Sequence, residues 1–194
     1  DLANRFVDRL GAPAVDRADQ LRVSPELANR IQQHYAACPK PWIGIGLGSS
    51  EAFKQWGAEK FANLVAQLAE TQGGSFFLLG GPGEAAFQPV IEAAVGGRGQ
   101  AAIIPGFEWP MSKIIAAQAA MAAYVGNDTA FLNISAAVGV PSFGLFGATE
   151  PLTFSPQIKA VMPDDGAISR QDGMARISPE KVAKRVREHL QAAA

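Results

Sequence analysis

The stretch Val125-Gly126-Asn127-Asp128-Thr129-Ala130-Phe131-Leu132-Asn133 decides how the rest of this sequence is interpreted. The apolar run that ends at its first residue predicts a buried strand, Gly126 allows the chain to turn, and Asp128 or Thr129 can cap the helix that follows. Backbone N–H groups in a first helical turn have no intrahelical acceptor, and the helix dipole places positive charge there. This strand, turn and helix N-terminus therefore predict a binding site for a phosphate group.

Strands and helices alternate from Trp42 onward, which predicts the fold class. Short apolar runs indicate strands near 42–47, 75–79, 101–104, 122–125, 140–146 and 158–162. Segments with helical periodicity follow the first four strands, and Ser178-Pro179-Glu180 begins a last helix. This pattern predicts an α/β fold with a doubly wound, Rossmann-like parallel sheet covered on both faces. We assign residues 41–194 to this domain, and residues 1–40 to an interdomain helix and linker segment.

Composition excludes several classes of protein. Of the 194 residues, 17 are Lys or Arg and 18 are Asp or Glu, so the net charge of −1 provides no general attraction for nucleic acid. Cys38 is the single cysteine, and with the isolated His34 and His189 it has no familiar metal-site spacing. We therefore expect a reducing compartment, no internal disulfide and no metal.

No segment has the length and hydropathy of a transmembrane helix. The longest apolar run, Ile114 to Val125, consists mostly of alanine and is broken by Gln118. Nothing at the N-terminus resembles a signal peptide. Because the first residue is Asp1 rather than Met, we expect a fragment or a processed product.

Right-handed crossovers bring every strand-to-helix loop of such a sheet to one edge. The loops at 48–57, 80–84, 105–110, 126–129 and 147–153 are therefore expected to converge. They contain many of the glycines and the least routine polar residues. A ligand is expected at this edge.

Two of these loops carry charged candidates. Lys54 can neutralise phosphate oxygens, and the hydroxyls of Ser49 and Ser50 can donate to them, although Lys54 can equally be a solvated loop lysine. Glu84 follows a glycine-rich turn and can accept hydrogen bonds from ribose hydroxyls. Its alternative role is that of a first-turn glutamate favoured by the helix dipole.

The opening stretch contains further candidates. Asp128 and Thr129 are either capping residues or ligand contacts, and their position at the ligand edge favours the second interpretation. Asn133 lies one turn further along the same helix face as Thr129, either as a ligand contact or as an exposed polar residue.

The third loop is bracketed by large apolar residues. Phe107, Trp109 and Met111 can line a slot for a nucleobase, but core packing is the favoured role for at least two of them. The adjacent pair Asp164-Asp165 precedes a glycine and is interpreted as a solvated turn.

The glycines do not form a dinucleotide fingerprint. Gly44, Gly46 and Gly48 give G-x-G-x-G, and the first two fall inside the predicted strand. A nicotinamide-dependent oxidoreductase is therefore disfavoured. The P-loop motif G-x-x-x-x-G-K-[ST] does not occur either.

Several motifs in order resemble the ADP-heptose:lipopolysaccharide heptosyltransferases, specifically their C-terminal donor-binding domain. The motifs are GSSEAFKQWGAEKFANL, LLGGPGE, YVGNDTAFLNISAAVGVPSFGLFG and the ATEP that follows. The resemblance covers about residues 40–163. Two positions depart from the usual residues of the family, which has glycine where Ala130 stands and histidine where Asn133 stands.

The resemblance implies the C-terminal half of a GT-B glycosyltransferase that transfers sugar with inversion, without a metal or other cofactor. The donor would be a nucleotide-diphosphate sugar, with an ADP-sugar favoured. Lys54 and the N–H groups around Thr129, Ala130 and Phe131 would hold the diphosphate, Glu84 the ribose, and Asp128 the hydroxyls of the donor sugar. Replacing a metal with a lysine and a helix N-terminus is physically sensible, since both stabilise charge on the leaving diphosphate.

The resemblance also implies partners and location. The general base and the contacts to a glycolipid acceptor would come from an N-terminal domain, so we expect this chain to bind nucleotide-sugar without turnover. The process would be lipopolysaccharide or related surface-glycan synthesis. We expect a cytoplasmic protein. Peripheral association with the inner face of the cytoplasmic membrane is the alternative location. A non-catalytic nucleotide-binding module is the alternative, suggested by Ala130 and Asn133.

Overall fold

The computed structural model describes residues 9–11 and 21–193. Most of the first twenty residues of the predicted interdomain helix and linker segment fall outside these residues. Strands and helices alternate through the described part from Trp42 onward. In chain order the elements are α1 (Pro25–His34), β1 (Trp42–Gly46), α2 (Ala58–Gln72), β2 (Gly74–Leu79), α3 (Phe87–Val95), β3 (Ala101–Pro105), α4 (Met111–Gln118), β4 (Ala123–Asn127), α5 (Ala130–Ala137), β5 (Ser142–Leu145), β6 (Ile158–Val161) and α6 (Pro179–Ala192).

The six strands form one sheet in the order β3-β2-β1-β4-β5-β6, with every neighbouring pair parallel. This is the strand order of a doubly wound Rossmann-like sheet, and it confirms the predicted fold class. The order reverses between β1 and β4, which pair through Ile43–Gly46 and Ala123–Gly126. The carboxyl ends of these two strands are therefore the expected position of a ligand.

Helices cover both faces of the sheet. Alternate strand residues point to opposite faces, and most of the strands contribute to two core clusters. The first cluster lies under α2, α3 and α6 and includes Ile43, Ile45, Phe61, Phe76, Leu78, Ile91 and Val186. The second lies under α1, α4 and α5 and includes Ile31, Trp42, Phe77, Ile114, Tyr124 and Leu132. Burial on both faces explains why the strand sequences are continuously apolar.

The glycines of β1 serve packing between strands. A Cβ on Gly46 would overlap the Tyr124 hydroxyl, and one on Gly44 would lie 2.7 Å from the sulfur of Met121. Both glycines lie in the strand, as predicted, and leave room for the Tyr124 ring. The second core cluster therefore accounts for them without a dinucleotide.

The prediction that Gly126 turns the chain is wrong. Gly126 belongs to β4, where it pairs with Gly46 on one side and Gly144 on the other. Its φ is not positive, and a Cβ there would lie 2.8 Å from the Gly46 carbonyl oxygen. Close approach of neighbouring strands, rather than a turn, explains the glycine. The strand extends to Asn127, which brings Asp128 to the end of the sheet.

The helical segment predicted after the second strand consists of two elements. A 3₁₀ turn at Pro82–Ala86 precedes α3. Glu84 Oε2 accepts a hydrogen bond from the Gly81 N–H group at 2.8 Å, which stabilises the tighter turn.

The segment before the sheet packs on its second face. Ser24 Oγ accepts a 3.4 Å hydrogen bond from the Leu27 N–H group, and α1 then contacts α4 through a stripe that includes buried Ile31. The domain boundary at residue 40 stays a prediction. None of the described helices is long and apolar enough to cross a membrane.

Candidate functional site

Three strand-end loops meet at one carboxylate. Lys54 Nζ, from the loop after β1, lies 3.0 Å from Asp128 Oδ2 at the end of β4. Thr149, from the loop after β5, donates its hydroxyl to the same oxygen at 3.1 Å. The side chains of Lys54 and Asp128 are 20% and 14% exposed, so the pair is shielded but open to a ligand. Glu51 Oε2 lies 3.8 Å from the ammonium.

The loop that carries Lys54 is held by a buried amide network. Asn127 is fully buried, and its Nδ2 donates to the carbonyl oxygens of Leu47 and Gly48 at 3.1 and 3.2 Å. It also lies 3.0 Å from Gln55 Oε1. Gln55 Nε2 in turn donates to the Leu47 carbonyl at 3.0 Å. The loop is therefore attached on both sides of the 3₁₀ turn Ala52–Lys54.

The N-terminus of α5 lies next to this carboxylate. Thr129 is its N-cap residue, but the Thr129 side chain makes no capping hydrogen bond. By contrast, Ser24 and Ser178 accept capping bonds at the starts of α1 and α6. Of the two predicted capping candidates, Thr129 takes the N-cap position without a side-chain hydrogen bond, and the first-turn N–H groups of α5 keep their capacity to bind an anion.

Two hydroxyls behind this terminus are buried. Among the described residues, neither Thr129 Oγ1 nor the Tyr124 hydroxyl has a hydrogen-bond partner. Burial raises the pKa of Tyr124, so its phenol stays neutral throughout the physiological range.

Glu84 lies on the other side of the Lys54 loop. Its Oε2 is bonded to the Gly81 N–H group, and a side chain at Gly48 would come within 3.9 Å of that oxygen. The loops after β1 and β2 are therefore adjacent. Glu84 and Lys54 belong to the same edge of the sheet, with Gly48 beside the carboxylate of Glu84.

An open cleft of about 420 Å³ lies beside the Glu84 turn. Its lining consists of Pro82, Ala85, Gln88, Pro105, Phe107, Glu108 and Trp109. Phe107 also packs against the first core cluster and Trp109 against the second, which confirms the prediction that at least two of the three apolar residues have core contacts. Met111 is 49% exposed and does not line the cleft.

The remaining candidate residues differ in their hydrogen bonds, packing and exposure within the protein. Ser49 Oγ donates to the Glu51 carbonyl at 2.7 Å, whereas Ser50 is exposed. Phe131 packs against the second core cluster, while Ala130 and Asn133 are exposed on the first turn of α5.

Asp164 and Asp165 are exposed, as the solvated-turn interpretation predicted. Each pairs with a basic residue: Asp164 lies 2.7 Å from Lys181 Nζ, and Asp165 pairs with Arg176. A backbone hydrogen bond from Ala167 is the main cause that lowers the pKa of Asp165. These carboxylates therefore serve local structure.

The sequence interpretation did not single out Asn127, Gln55 or Thr149. A signal was available for Thr149, because it belongs to the ATEP motif and to a loop predicted at the ligand edge. Asn127 is a polar residue at the end of a buried strand, and such a residue needs hydrogen-bond partners. The identity of those partners depends on contacts 72 to 80 residues away in sequence.

The fold and this edge define a Rossmann-like domain with a lysine, a carboxylate and an open helix N-terminus at its topological switch point. A family model described as glycosyltransferase family 9 (heptosyltransferase) matches residues 2–183. The chain belongs to this family, which confirms the resemblance found in the sequence. A search of curated proteins found no significant match.

Solved structures with similar folds include two heptosyltransferases of Escherichia coli. ADP-heptose LPS heptosyltransferase II matches with a TM-score of 0.76 and 25% identity, over 90% of this chain and 54% of that one. A family 9 glycosyltransferase from Veillonella parvula matches with a TM-score of 0.75 and 21% identity, over 97% of this chain and 58% of that one. The Escherichia coli heptosyltransferase WaaC with ADP-2-deoxy-2-fluoro heptose matches with a TM-score of 0.67 and 16% identity, over 94% of this chain and 53% of that one. The chain spans little more than half the length of these proteins and corresponds to one half of a GT-B fold.

Proposed function

We propose that this domain binds a nucleotide-diphosphate sugar, with an ADP-sugar favoured, as the donor half of a metal-independent, inverting, heptosyltransferase-like enzyme of surface-glycan synthesis. The observation that carries the proposal is the convergence of Lys54, Asp128 and Thr149 beside the open N-terminus of α5. Family membership supports the reaction class. The acceptor would be a glycolipid bound by the other half of the enzyme.

The diphosphate is assigned to Lys54 and α5. A lysine ammonium has three N–H donors, and the contact with Asp128 engages one of them. The others can bind phosphate oxygens without breaking the ion pair. N–H groups at the start of α5 add donors and the positive end of the helix dipole. These groups can stabilise the charge on the leaving diphosphate, which is the role that a metal has in other enzymes.

The nucleoside is assigned to the Glu84 side of the edge. Glu84 Oε2 accepts one backbone hydrogen bond, so the carboxylate retains acceptor capacity for ribose hydroxyls. The adjacent cleft has the Phe107 ring in its lining and can take the nucleobase.

The donor sugar is assigned to Asp128. Lys54 and Thr149 both donate to Oδ2, and a carboxylate oxygen pair has about four lone-pair sites. Asp128 can therefore accept hydrogen bonds from sugar hydroxyls while its orientation is held.

Lys54→Ala is expected to weaken ADP binding by about 1.5–3 kcal/mol, because a charge-assisted hydrogen bond is lost. Asp128 would also lose its counter-ion beside the diphosphate. Isothermal calorimetry with ADP and ADP-sugars measures this change. Lys184→Ala is the matched control, since Lys184 is 70% exposed on α6 and should leave affinity unchanged. Equal affinities of the Lys54 variant and the original protein would remove Lys54 from the site.

A non-catalytic nucleotide-binding module is the second candidate. It is favoured by Ala130 and Asn133, whose exposed side chains replace the glycine and histidine usual in the family. Nucleotide-sugar binding without transfer by a longer protein that contains both halves, supplied with acceptor, would favour this module. Restoring transfer with Ala130→Gly and Asn133→His would assign the loss to these two positions.

A further inference from the structure

Asn127 is a buried polar side chain at the donor edge whose amide nitrogen is engaged, while its amide oxygen has no hydrogen-bond partner among the described residues. It is fully buried at the end of β4, immediately before Asp128. Its amide nitrogen contacts three acceptors that belong to the Lys54 loop, the carbonyls of Leu47 and Gly48 and the Gln55 side chain. Replacing this amide would leave the Gly48 carbonyl without its hydrogen bond, whereas the Leu47 carbonyl and Gln55 Oε1 would each keep one, from Gln55 Nε2 and the Gly57 N–H group.

Chemistry defines the orientation of this amide. The carbonyl oxygens of Leu47 and Gly48 can only accept hydrogen bonds, so the group that faces both must be the NH₂ group of Asn127. A carboxylate at this position could not donate to them. The requirement for an amide is therefore specific.

These contacts lie on both sides of the lysine. Leu47 and Gly48 begin the loop, and Gln55 follows Lys54 directly. Within the loop, the Lys54 N–H group donates to the Glu51 carbonyl at 3.0 Å and the Gln55 N–H group to the Ala52 carbonyl at 3.1 Å. One side chain of β4 therefore attaches both ends of the turn that presents Lys54, and Asp128, the residue directly after β4, pairs with that lysine.

We infer that Asn127 is a positioning residue, which holds the Lys54 loop so that the ammonium is preorganised for the donor diphosphate. The effect of Asn127 on donor binding rests on the proposed function. The geometric part of the inference, the anchoring of the loop, does not depend on any ligand. Preorganisation would increase affinity, because the loop would not have to be ordered when the donor binds.

A double-mutant cycle with ADP tests the binding consequence. Asn127→Ala alone should weaken ADP binding roughly tenfold, and in the Lys54→Ala background it should cause almost no further loss, since its effect passes through Lys54. Asn127→Asp should weaken binding at least as much, because a carboxylate has no N–H group to donate to the Leu47 and Gly48 carbonyls. If the double variant lost ADP affinity by the product of the two single-variant factors, the inference would be overturned.

Ser142→Ala is the matched control for stability. Ser142 is fully buried in β5, and its hydroxyl donates to the Val140 carbonyl at 2.8 Å, away from the Lys54 loop. This variant should unfold at lower denaturant concentration and keep its ADP affinity. Equal loss of ADP affinity in Ser142→Ala and Asn127→Ala would show a general effect of stability and overturn the inference.

Hydrogen exchange separates the inference from the proposed function. In Asn127→Ala without ligand, the amides of Lys54 and Gln55 should exchange about ten times faster, with no change in Ser142→Ala. If the original protein fails to bind ADP, the proposed function fails, and faster exchange in Asn127→Ala would still support the anchoring. Unchanged exchange of both amides in Asn127→Ala would overturn the inference in either case.

Discussion

Lys54 and Asp128 hold each other in position at the end of the sheet. Their 3.0 Å contact joins residues 74 apart in sequence, and Thr149 orients the same carboxylate oxygen. The pair is shielded but open to a ligand, and in the proposed function its role is to place charge at the diphosphate site. Glu84 is the corresponding group of the proposed nucleoside site.

Glu84→Gln is expected to weaken ADP binding by roughly 1–2 kcal/mol, because a neutral amide is a poorer acceptor for ribose hydroxyls than a carboxylate. The amide oxygen can keep the hydrogen bond from Gly81, so the turn is retained. Calorimetry with ADP and with 2′,3′-dideoxy-ADP measures the effect, which should disappear with the second ligand. Glu92→Gln, at an exposed residue of α3, should bind both ligands normally. An equal loss for both nucleotides would place Glu84 away from the ribose.

At the scale of elements, the start of α2 holds the irregular segment before α6. Lys60 Nζ donates to the carbonyl oxygens of Met174 and Ile177 at 3.1 and 2.9 Å, and also to that of Ala175. Trp56 Nε1 donates to the Ile177 carbonyl at 3.0 Å. Burial lowers the pKa of Lys60. Trp56 and Lys60, which follow the Lys54 loop in sequence, therefore also hold the segment that leads into α6.

Lys60→Met should destabilise the protein by about 2 kcal/mol, since the alkyl packing is retained while three backbone carbonyls lose a charged donor. Urea unfolding followed by circular dichroism measures the difference. Lys184→Met is the control and should change the free energy of unfolding by less than about 0.5 kcal/mol. Similar stabilities of the two variants would show that the Lys60 contacts contribute nothing.

At the scale of the whole molecule, one six-stranded sheet joins both core clusters and presents all of the candidate site at one edge. The chain spans 53–58% of the length of the three family structures compared. The proposed donor site does not by itself supply a general base for the acceptor hydroxyl. Binding and transfer are therefore expected to be separable.

The 194-residue chain is expected to bind an ADP-sugar and not to transfer it. A mass-spectrometric assay with ADP-sugar and a glycolipid acceptor measures transfer, and calorimetry on the same preparation measures binding. A longer protein with both halves serves as the control for acceptor quality. Efficient transfer by the 194-residue chain would contradict the expected division of roles.

Much of the fold could be predicted from local patterns. The six strands, the helices that follow them and the start of the last helix at Ser178 lie near their predicted positions, because periodicity and capping depend on residues a few positions apart. Gly126 was misinterpreted for a related reason. A glycine required by a neighbouring strand looks the same in sequence as one required by a turn.

The sequence by itself determined the alternation of strands and helices, the family, and the set of loops at one edge. Only the tertiary structure decided that Lys54 pairs with Asp128, that Thr149 shares that carboxylate, and that Asn127 anchors the Lys54 loop. The physical reason is that these contacts join residues 21 to 80 positions apart. Their geometry depends on strand order, register and side-chain direction together, which no local periodicity encodes.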